Sequence, residues 1–336
     1  MSTAINWKTN ADGGYMYADE LSDELRTSVQ PMVRFRQLCE PDPGALEKGL
    51  HRGDQYRWNI YGNVSRQGRA LDELQPMPET SFSTAQASLS VTEYGQSVPY
   101  TGKITALAKH DAVTIIHKQL KNDARKSFDI AAHAEFKKCL TRVAPAGGTS
   151  TTSITLTTNA ATSETNNVAM GTGHVKAIVD TMRERNVPGY TDDDDYVAIG
   201  HPTTFRPIRN ELETIHQYTD QGMAQIFNGE IGRYEGVRFL EQSFIPKGGA
   251  NDSTTFDPYN GVADAWNNAK SSWAYFLGGD TVNEAIVVPE EIRAKLPGDF
   301  GRSHGIAWYY LGGYGIYHAN SADTAQSRIF MWDSAA

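Results

Sequence analysis

The sequence predicts an α+β fold with a projecting β-hairpin, one unusually long helix and a mixed α/β region. Two segments alternate between apolar and polar residues on either side of a long polar connection, and this pattern predicts an extended hairpin. Apolar residues then recur every three or four positions from Lys109 to Arg142, which predicts a helix of roughly 32 residues. Short apolar strands and amphipathic helices alternate over most of the remaining chain.

The first fifty residues predict an N-terminal arm (residues 1–50) rather than a domain. A polar start precedes a short helix predicted over Ala18–Cys39. The residues from Glu40 to Gly44 predict a turn-rich break, because proline and glycine interrupt regular structure. Nothing in this stretch indicates an independent hydrophobic core.

The hairpin is predicted over residues 51–104. Its apolar positions are Tyr56, Trp58 and Ile60 in the first arm and Ala87, Leu89 and Val91 in the second. The connection SRQGRALDELQPMPETSFST has about twenty residues, which is long for a structureless loop inside a compact domain. Such a connection indicates that the hairpin has a binding partner. The second arm is predicted to continue through Tyr94–Tyr100 directly into the long helix.

The long helix is predicted to begin at an Asp111 cap and to end at Ala144–Gly148, where proline and glycine disfavour helical angles. From Lys103 to Arg142 there are nine basic and four acidic residues, a net charge of +5 in a chain of net charge −9. Lys118, Lys121 and Arg125 share a face away from the apolar stripe. Two interpretations stay open: a solvated face with i,i+4 ion pairs, or a surface attracted to nucleic-acid phosphates.

The rest of the chain predicts an α/β region followed by C-terminal strands. A threonine-rich stretch after Gly148 predicts an edge strand or surface loop. The predicted helices carry Val175, Ile178, Val179 and Met182 in the first, and Phe205, Ile208, Leu212 and Ile215 in the second, which starts at Pro202. The predicted strands are Tyr196–Gly200, Gly236–Glu241, Trp273–Leu277, Ala285–Val288, Ile306–Leu311, Tyr314–His318 and Arg328–Trp332, with Gly312-Gly313 predicted to separate two of them.

Composition restricts the class of protein. A net charge of −9 argues against a chain that coats nucleic acid with its whole surface. No apolar run approaches the roughly 20 residues that span a bilayer, and residues 1–10 lack the features of a secretion signal, so we expect a soluble protein made in the cytoplasm. Cys39 and Cys139 are too few for a disulfide framework.

No motif predicts catalysis. The chain contains no H-E-x-x-H, Cys-x-x-Cys, G-x-S-x-G or phosphate-binding loop pattern. Asp192–Asp195 lacks the spacing of a calcium loop and predicts a solvated acidic loop. Gly171-Thr172-Gly173 begins a dinucleotide-like pattern, but Lys176 occupies the third glycine position, which favours a plain helix start. We therefore expect no catalytic residues, no cofactor and no metal.

Three segments and the order of the parts resemble a known family. They are Tyr94–Lys103 leading into His110-Asp111, the strand-to-helix passage Val197–Pro202, and Gly229–Phe239. Together they resemble the major capsid proteins of tailed phages with the Hong Kong 97-type fold, in particular the N-four-like podophage coat proteins.

The resemblance implies a domain organisation and a function. It implies an N-arm (1–50), an extended E-loop hairpin (51–104), a peripheral P-domain with a spine helix (105–148 and 304–336) and an axial A-domain (149–303). It also implies that the chain self-assembles into hexamers and pentamers of an icosahedral virion shell around double-stranded DNA. The expected partners are other copies of the chain, a separate scaffolding protein, a portal and a cement or decoration protein, with no membrane.

The hairpin and the basic helix face supply candidate residues for these contacts. Hairpin residues expected to contact a neighbouring subunit are Arg57, Trp58, Arg66, Arg69, Asp72 and Glu73, and those expected to face DNA are Lys118, Lys121 and Arg125. Two other functions stay open: an encapsulin-like compartment shell of the same fold, and an α+β metal-dependent enzyme or hydrolase.

Overall fold

The structure is a computed structural model that describes residues 33–42, 54–62, 64, 67–71, 73, 76–158, 168–190, 194–216, 233–243, 272–318 and 327–334. The chain divides into two compact units. The first unit comprises Met1–Asp54, Val91–His133 and Glu284–Gly313, and the second comprises Gln55–Ser90, Ala134–Asn283 and Tyr314–Ala336. Strands and helices are numbered below along the chain.

The first unit contains most of a four-stranded sheet and most of the long helix. The strands are β1 (Glu40–Asp42), β4 (Thr92–Thr101), β11 (Val282–Ala294) and β12 (Ser303–Ile316), in the order β1-β11-β12-β4. The helices are α1 (Gly102–Leu107) and α2 (Ala112–Lys137). Antiparallel pairing of β4 with β12 places Tyr94 opposite Tyr310 and Tyr100 opposite His304.

The apolar stripe of α2 packs on this sheet, as predicted. Ile116, Leu120 and Phe128 are buried in one cluster with Ile306, Trp308 and Tyr310 of β12. The Phe128 ring lies edge-on to Tyr310 with centroids 4.7 Å apart, and 5.3 Å from the Trp308 ring. The periodicity of the sequence therefore identified both the helix and the face that it buries.

The start of α2 confirms the Asp111 cap. The Asp111 carboxylate accepts hydrogen bonds from the backbone amides of Val113 and Thr114 at 3.1 and 3.3 Å. The Thr114 hydroxyl also donates to it, and this hydrogen bond is the main reason why the pKa of Asp111 lies below its usual range. The cap satisfies amides that have no partner within the helix.

Two predictions about the ends of this helix were wrong. The helix has 26 residues, about 39 Å, and ends at Lys137; Arg142 instead begins a strand whose residues are mostly buried. The sequence between Lys138 and Thr141 has no strong breaker, so the periodic pattern overran the true end. The hairpin also does not enter α2 directly, because the short α1 stands between them.

The second unit has a seven-stranded sheet with helices. The strands are β5 (Arg142–Pro145), β6 (Ile154–Thr157), β7 (Tyr196–Gly200), β8 (Arg233–Tyr234), β9 (Val237–Glu241), β10 (Ser272–Leu277) and β13 (Ile329–Ser334), in the order β6-β5-β13-β10-β7-β9-β8. The helices are α3 (Thr172–Glu184) and α4 (Pro202–His216). The predicted apolar face of α3 enters its core, as do Phe205, Ile208 and Leu212 of α4, and the threonine-rich β6 is an edge strand, as predicted.

The predicted hairpin arms are present in the second unit. They form a two-stranded antiparallel sheet of β2 (Gln55–Tyr61) and β3 (Thr84–Ser90). Tyr56 pairs with Leu89, Trp58 with Ala87.

The C-terminal strands are longer than predicted. Gly312-Gly313 does not separate two strands, because β12 is continuous from Ser303 to Ile316. A Cβ at Gly312 would lie 2.4 Å from the Tyr310 hydroxyl and 2.6 Å from the Ala285 carbonyl oxygen. Glycine is therefore required at this position for a close approach, and it does not mark a turn.

The arm also differs from the prediction where it is described. Most of the helix predicted over Ala18–Cys39 lies outside the described residues, and its end is a 3-10 turn, Phe35–Leu38. Glu40–Asp42, predicted as a break, is the edge strand β1 beside β11. The predicted domain boundaries remain a prediction. They place β4 in the E-loop (51–104) and β11 in the A-domain (149–303), whereas β4 and most of β11 belong to the same compact unit.

Candidate functional site

The base of the β2–β3 hairpin is fixed within its own unit. The indole Nε1–H of Trp58 donates to the Tyr317 carbonyl oxygen at 3.1 Å, and the two rings meet edge-on at 5.7 Å. A Cβ at Gly315 would lie 2.7 Å from the Leu89 Cβ and 3.2 Å from the Trp58 ring, so only glycine allows this contact. The structure therefore gives Trp58 a role inside the subunit.

The far end of the hairpin exposes large apolar side chains. The exposed fractions are Tyr61 68%, Val64 46%, Leu71 56%, Met77 69% and Phe82 58%. The Tyr61 and Phe82 rings lie edge-on to each other with centroids 6.3 Å apart. Single exposed apolar residues are ordinary, but a group of them along one hairpin indicates an interaction surface.

Sequence reasoning selected the charged hairpin residues and missed these apolar ones. Arg57, Arg69 and Glu73 are exposed, and the Arg57 guanidinium donates to the Gln55 side-chain oxygen at 2.6 Å. Arg66 and Asp72 lie outside the described residues. The signal that was available is the presence of leucine, methionine and phenylalanine inside an otherwise polar connection.

The predicted basic face of α2 is exposed. Lys118, Lys121 and Arg125 all lie on the surface, three or four residues apart, and none of them forms an ion pair within the described part of the chain. The three cations therefore lie on one side of the helix.

Two of the three acidic residues of α2 have partners away from the basic face, and the third, Glu135, pairs with Lys138 beyond the end of the helix, so none of the three neutralises Lys118, Lys121 or Arg125. The Asp123 carboxylate accepts a hydrogen bond from the Trp308 indole at 2.9 Å. The Asp129 carboxylate is buried and accepts from the backbone amide of Phe35 at 2.6 Å. Because these carboxylates point into the protein, the exposed face keeps its positive charge.

Across the described ranges, no group of three or more His, Cys, Asp or Glu side chains is placed to hold a metal ion. None of the helices that the structure describes is long and apolar enough to cross a membrane.

Comparison with solved structures identifies the fold. The capsid of cyanophage P-SCSP1u matches with a TM-score of 0.66 at 11% identity, covering 95% of this chain and 93% of that one. The capsid of Ralstonia phage GP4 matches with a TM-score of 0.63 at 14% identity, covering 97% of both chains. The capsid of Helicobacter pylori bacteriophage KHP30 matches with a TM-score of 0.62 at 11% identity, covering 99% of both. No curated protein matches the sequence.

These matches show the Hong Kong 97-type fold, which is the fold of phage capsid proteins. A family model for phage capsid proteins matches residues 85–323, well over half of the chain. The chain therefore belongs to the phage capsid protein family, and its role is that of a major capsid protein in the virion. The compartment-shell and enzyme alternatives gain no support.

Proposed function

We propose that the chain is the subunit from which a tailed phage builds its head, in hexamers and pentamers of an icosahedral lattice around double-stranded DNA. The observation that carries this proposal is the hairpin, whose base is fixed by Trp58 and whose far end exposes five large apolar side chains. In a member of the phage capsid family, the natural partner for such a surface is a second copy of the chain. The subunit acts by assembling and has no catalytic activity.

The charged hairpin residues then set the register of this contact. Arg57, Arg69 and Glu73 are exposed, and exposed ion pairs contribute about a kcal/mol or less each. Arg66 and Asp72 are proposed for the same role. The apolar side chains supply the larger part of the binding free energy, while the charges disfavour incorrect alignments.

Shortening the hairpin tests this function. The Gly62 amide donates to the Ser83 carbonyl oxygen at 2.7 Å, so the two strands can be closed at this point. Replacing residues 63–82 by Asn-Gly supplies a two-residue hairpin turn. We expect a folded subunit with an unchanged unfolding midpoint that forms no closed shells by negative-stain microscopy. Normal icosahedral particles from this variant would refute the assignment.

We also propose that the basic face of α2 contacts packaged DNA. Three exposed cations on one helix face attract phosphates without reading sequence, and such binding weakens as salt rises. The triple variant K118Q/K121Q/R125Q should assemble empty shells normally and package less DNA. A triple variant of three other exposed cations, K176Q/K295Q/R302Q, is the matched control. Equal genome content in both variants would contradict a DNA-facing role.

We propose the remaining partners by analogy with the phage capsid family. A scaffolding protein, a portal and a cement or decoration protein are proposed on this ground, as is the division into N-arm, E-loop, P-domain and A-domain. That the N-four-like coat proteins are the nearest group stays a prediction. Purification of heads from infected cells and mass spectrometry of their components would test the set of partners.

A further inference from the structure

One short segment of the N-terminal arm, residues 33–42, is built into the first unit. Phe35 is fully buried, and Leu38 and Cys39 are nearly so. The Phe35 ring lies 5.0 Å from the His133 imidazole of α2. The segment continues as β1, which is the edge strand of the four-stranded sheet. Residues 33–42, which belong to an arm that was expected to be weakly structured, are therefore held by defined contacts within their own subunit.

The backbone of this segment is held by a carboxylate from the middle of α2. Asp129 is 2% exposed, and its Oδ1 accepts hydrogen bonds from the amides of Phe35 and Arg36 at 2.6 and 3.3 Å. These amides lie at the start of a 3-10 turn, where a side-chain acceptor can cap the turn. Asp129 thus caps a turn that lies more than ninety residues away in sequence.

The Arg36 side chain, which is 26% exposed, connects the helix to the sheet. Its Nε donates to Glu284 at 3.0 Å, and Nη1 and Nη2 donate to the two oxygens of Glu290 at 3.2 and 3.0 Å. The guanidinium carbon lies 4.3 Å from the centroid of the Phe128 ring and 5.6 Å from that of Tyr310. All four partners lie in the first unit, two on β11, one on α2 and one on β12.

The chemistry of this site selects arginine. Glu284 is 4% exposed and also accepts a hydrogen bond from the Tyr310 hydroxyl at 2.8 Å, so its charge needs a nearby cation. The Arg36 hydrogen bond is also the main reason why the pKa of Glu290 lies below its usual range. A planar guanidinium can bond both glutamates while stacking on an aromatic ring, whereas a lysine ammonium cannot satisfy all three contacts.

We propose that Arg36 is a positioning residue that docks residues 33–42 onto the first unit of its own subunit. Together with the Asp129 cap, it fixes the backbone of residues 33–42 on α2 and the sheet. Docking itself does not depend on the proposed shell function. Its consequence in a shell does: every subunit starts its arm from the same place on the sheet edge.

Hydrogen exchange of the free full-length subunit, followed by mass spectrometry, tests this docking. R36Q should raise exchange in peptides covering residues 33–42 by about tenfold or more, the lower end of what charge-assisted hydrogen bonds contribute. R36K should give an intermediate increase, because it keeps the charge and loses the bidentate geometry. R302Q is the matched control, since Arg302 is exposed and its ion pair to Asp299 is on the surface of the same unit.

The pattern of exchange separates docking from general stability. Peptides from β7 and β10 of the second unit should exchange at wild-type rates in R36Q. Equal acceleration in every peptide, or unchanged protection of residues 33–42, would overturn the proposal. Protection in the wild type must also be independent of protein concentration. Loss of protection on dilution would show that the segment docks on a second copy and would overturn docking within one subunit.

Discussion

The exposed aromatic pair of the hairpin gives the sharpest test of how the shell is held together. Tyr61 and Phe82 stand at the end of the paired strands, where their rings contact each other. The double substitution Y61S/F82S removes both rings from a surface that is exposed in the free subunit. It should therefore leave the free energy of unfolding of that subunit within about 0.5 kcal/mol of the wild-type value.

The expected effect on assembly follows from the exposed area. Tyr61 is 68% and Phe82 58% exposed. With about 200 Å² per aromatic side chain, the two together expose about 250 Å². At about 25 cal/mol per Å², complete burial would contribute at most about 6 kcal/mol per subunit. Burial of half of this area contributes about 3 kcal/mol, which corresponds to about a hundredfold change in an association constant.

Light scattering as a function of subunit concentration measures this change as the threshold for shell formation. Y61S/F82S should raise the threshold by about a hundredfold, which in practice abolishes assembly at ordinary concentrations. Y61F/F82Y keeps both rings and should stay within about threefold of wild type. A threshold for Y61S/F82S equal to that of Y61F/F82Y would show that the aromatic pair is not buried between subunits.

Further predictions concern the stability of the free subunit, measured by denaturant unfolding. F128A should cost about 3–5 kcal/mol, because Phe128 is 2% exposed in the core of the first unit, and a loss below about 1 kcal/mol would contradict this packing. W58F should cost about 1 kcal/mol through loss of the hydrogen bond to Tyr317, and an unchanged midpoint would argue against the anchor. Burial lowers the pKa of His174, whose neutral Nδ1 accepts a hydrogen bond from the Gly171 amide. The free energy of unfolding should therefore have its full value above about pH 6.5 and should fall as the pH drops below it. H174N should flatten this pH dependence.

Patterns that are local in sequence predicted much of the fold. The alternation of Tyr56, Trp58 and Ile60 identified β2, and the Asp111 cap identified the start of α2. These features depend on residues a few positions apart, so the sequence contains them directly. The order of such elements was enough for the resemblance to phage capsid proteins, which the family match confirmed.

Features that depend on distant residues were missed. Arg36 and Glu284 are 248 positions apart, and nothing near Arg36 in the sequence indicates a buried carboxylate. Gly312 was predicted to break a strand because glycine pairs often mark turns. Its true role, the close approach to Tyr310 and Ala285, depends on residues that meet only when the sheet is formed. The candidate site shows the same limit, since charged hairpin residues were easy to select, whereas the exposure of Tyr61 and Phe82 depends on the folded surface.

The contact between Trp58 and Tyr317 fixes the orientation of the hairpin at one point along β2. The last paired residue of β2, Tyr61, lies three residues beyond Trp58, about 10 Å along the strand. A rotation of one degree about Trp58 therefore displaces Tyr61 by about 0.2 Å, and five degrees by about 0.9 Å. Side-chain packing tolerates errors of only a fraction of a methyl group. The Trp58 hydrogen bond and Gly315 thus control how precisely the far end of the hairpin is placed. A variant that weakens these contacts should form shells of heterogeneous size, and only a stronger perturbation should abolish shell formation.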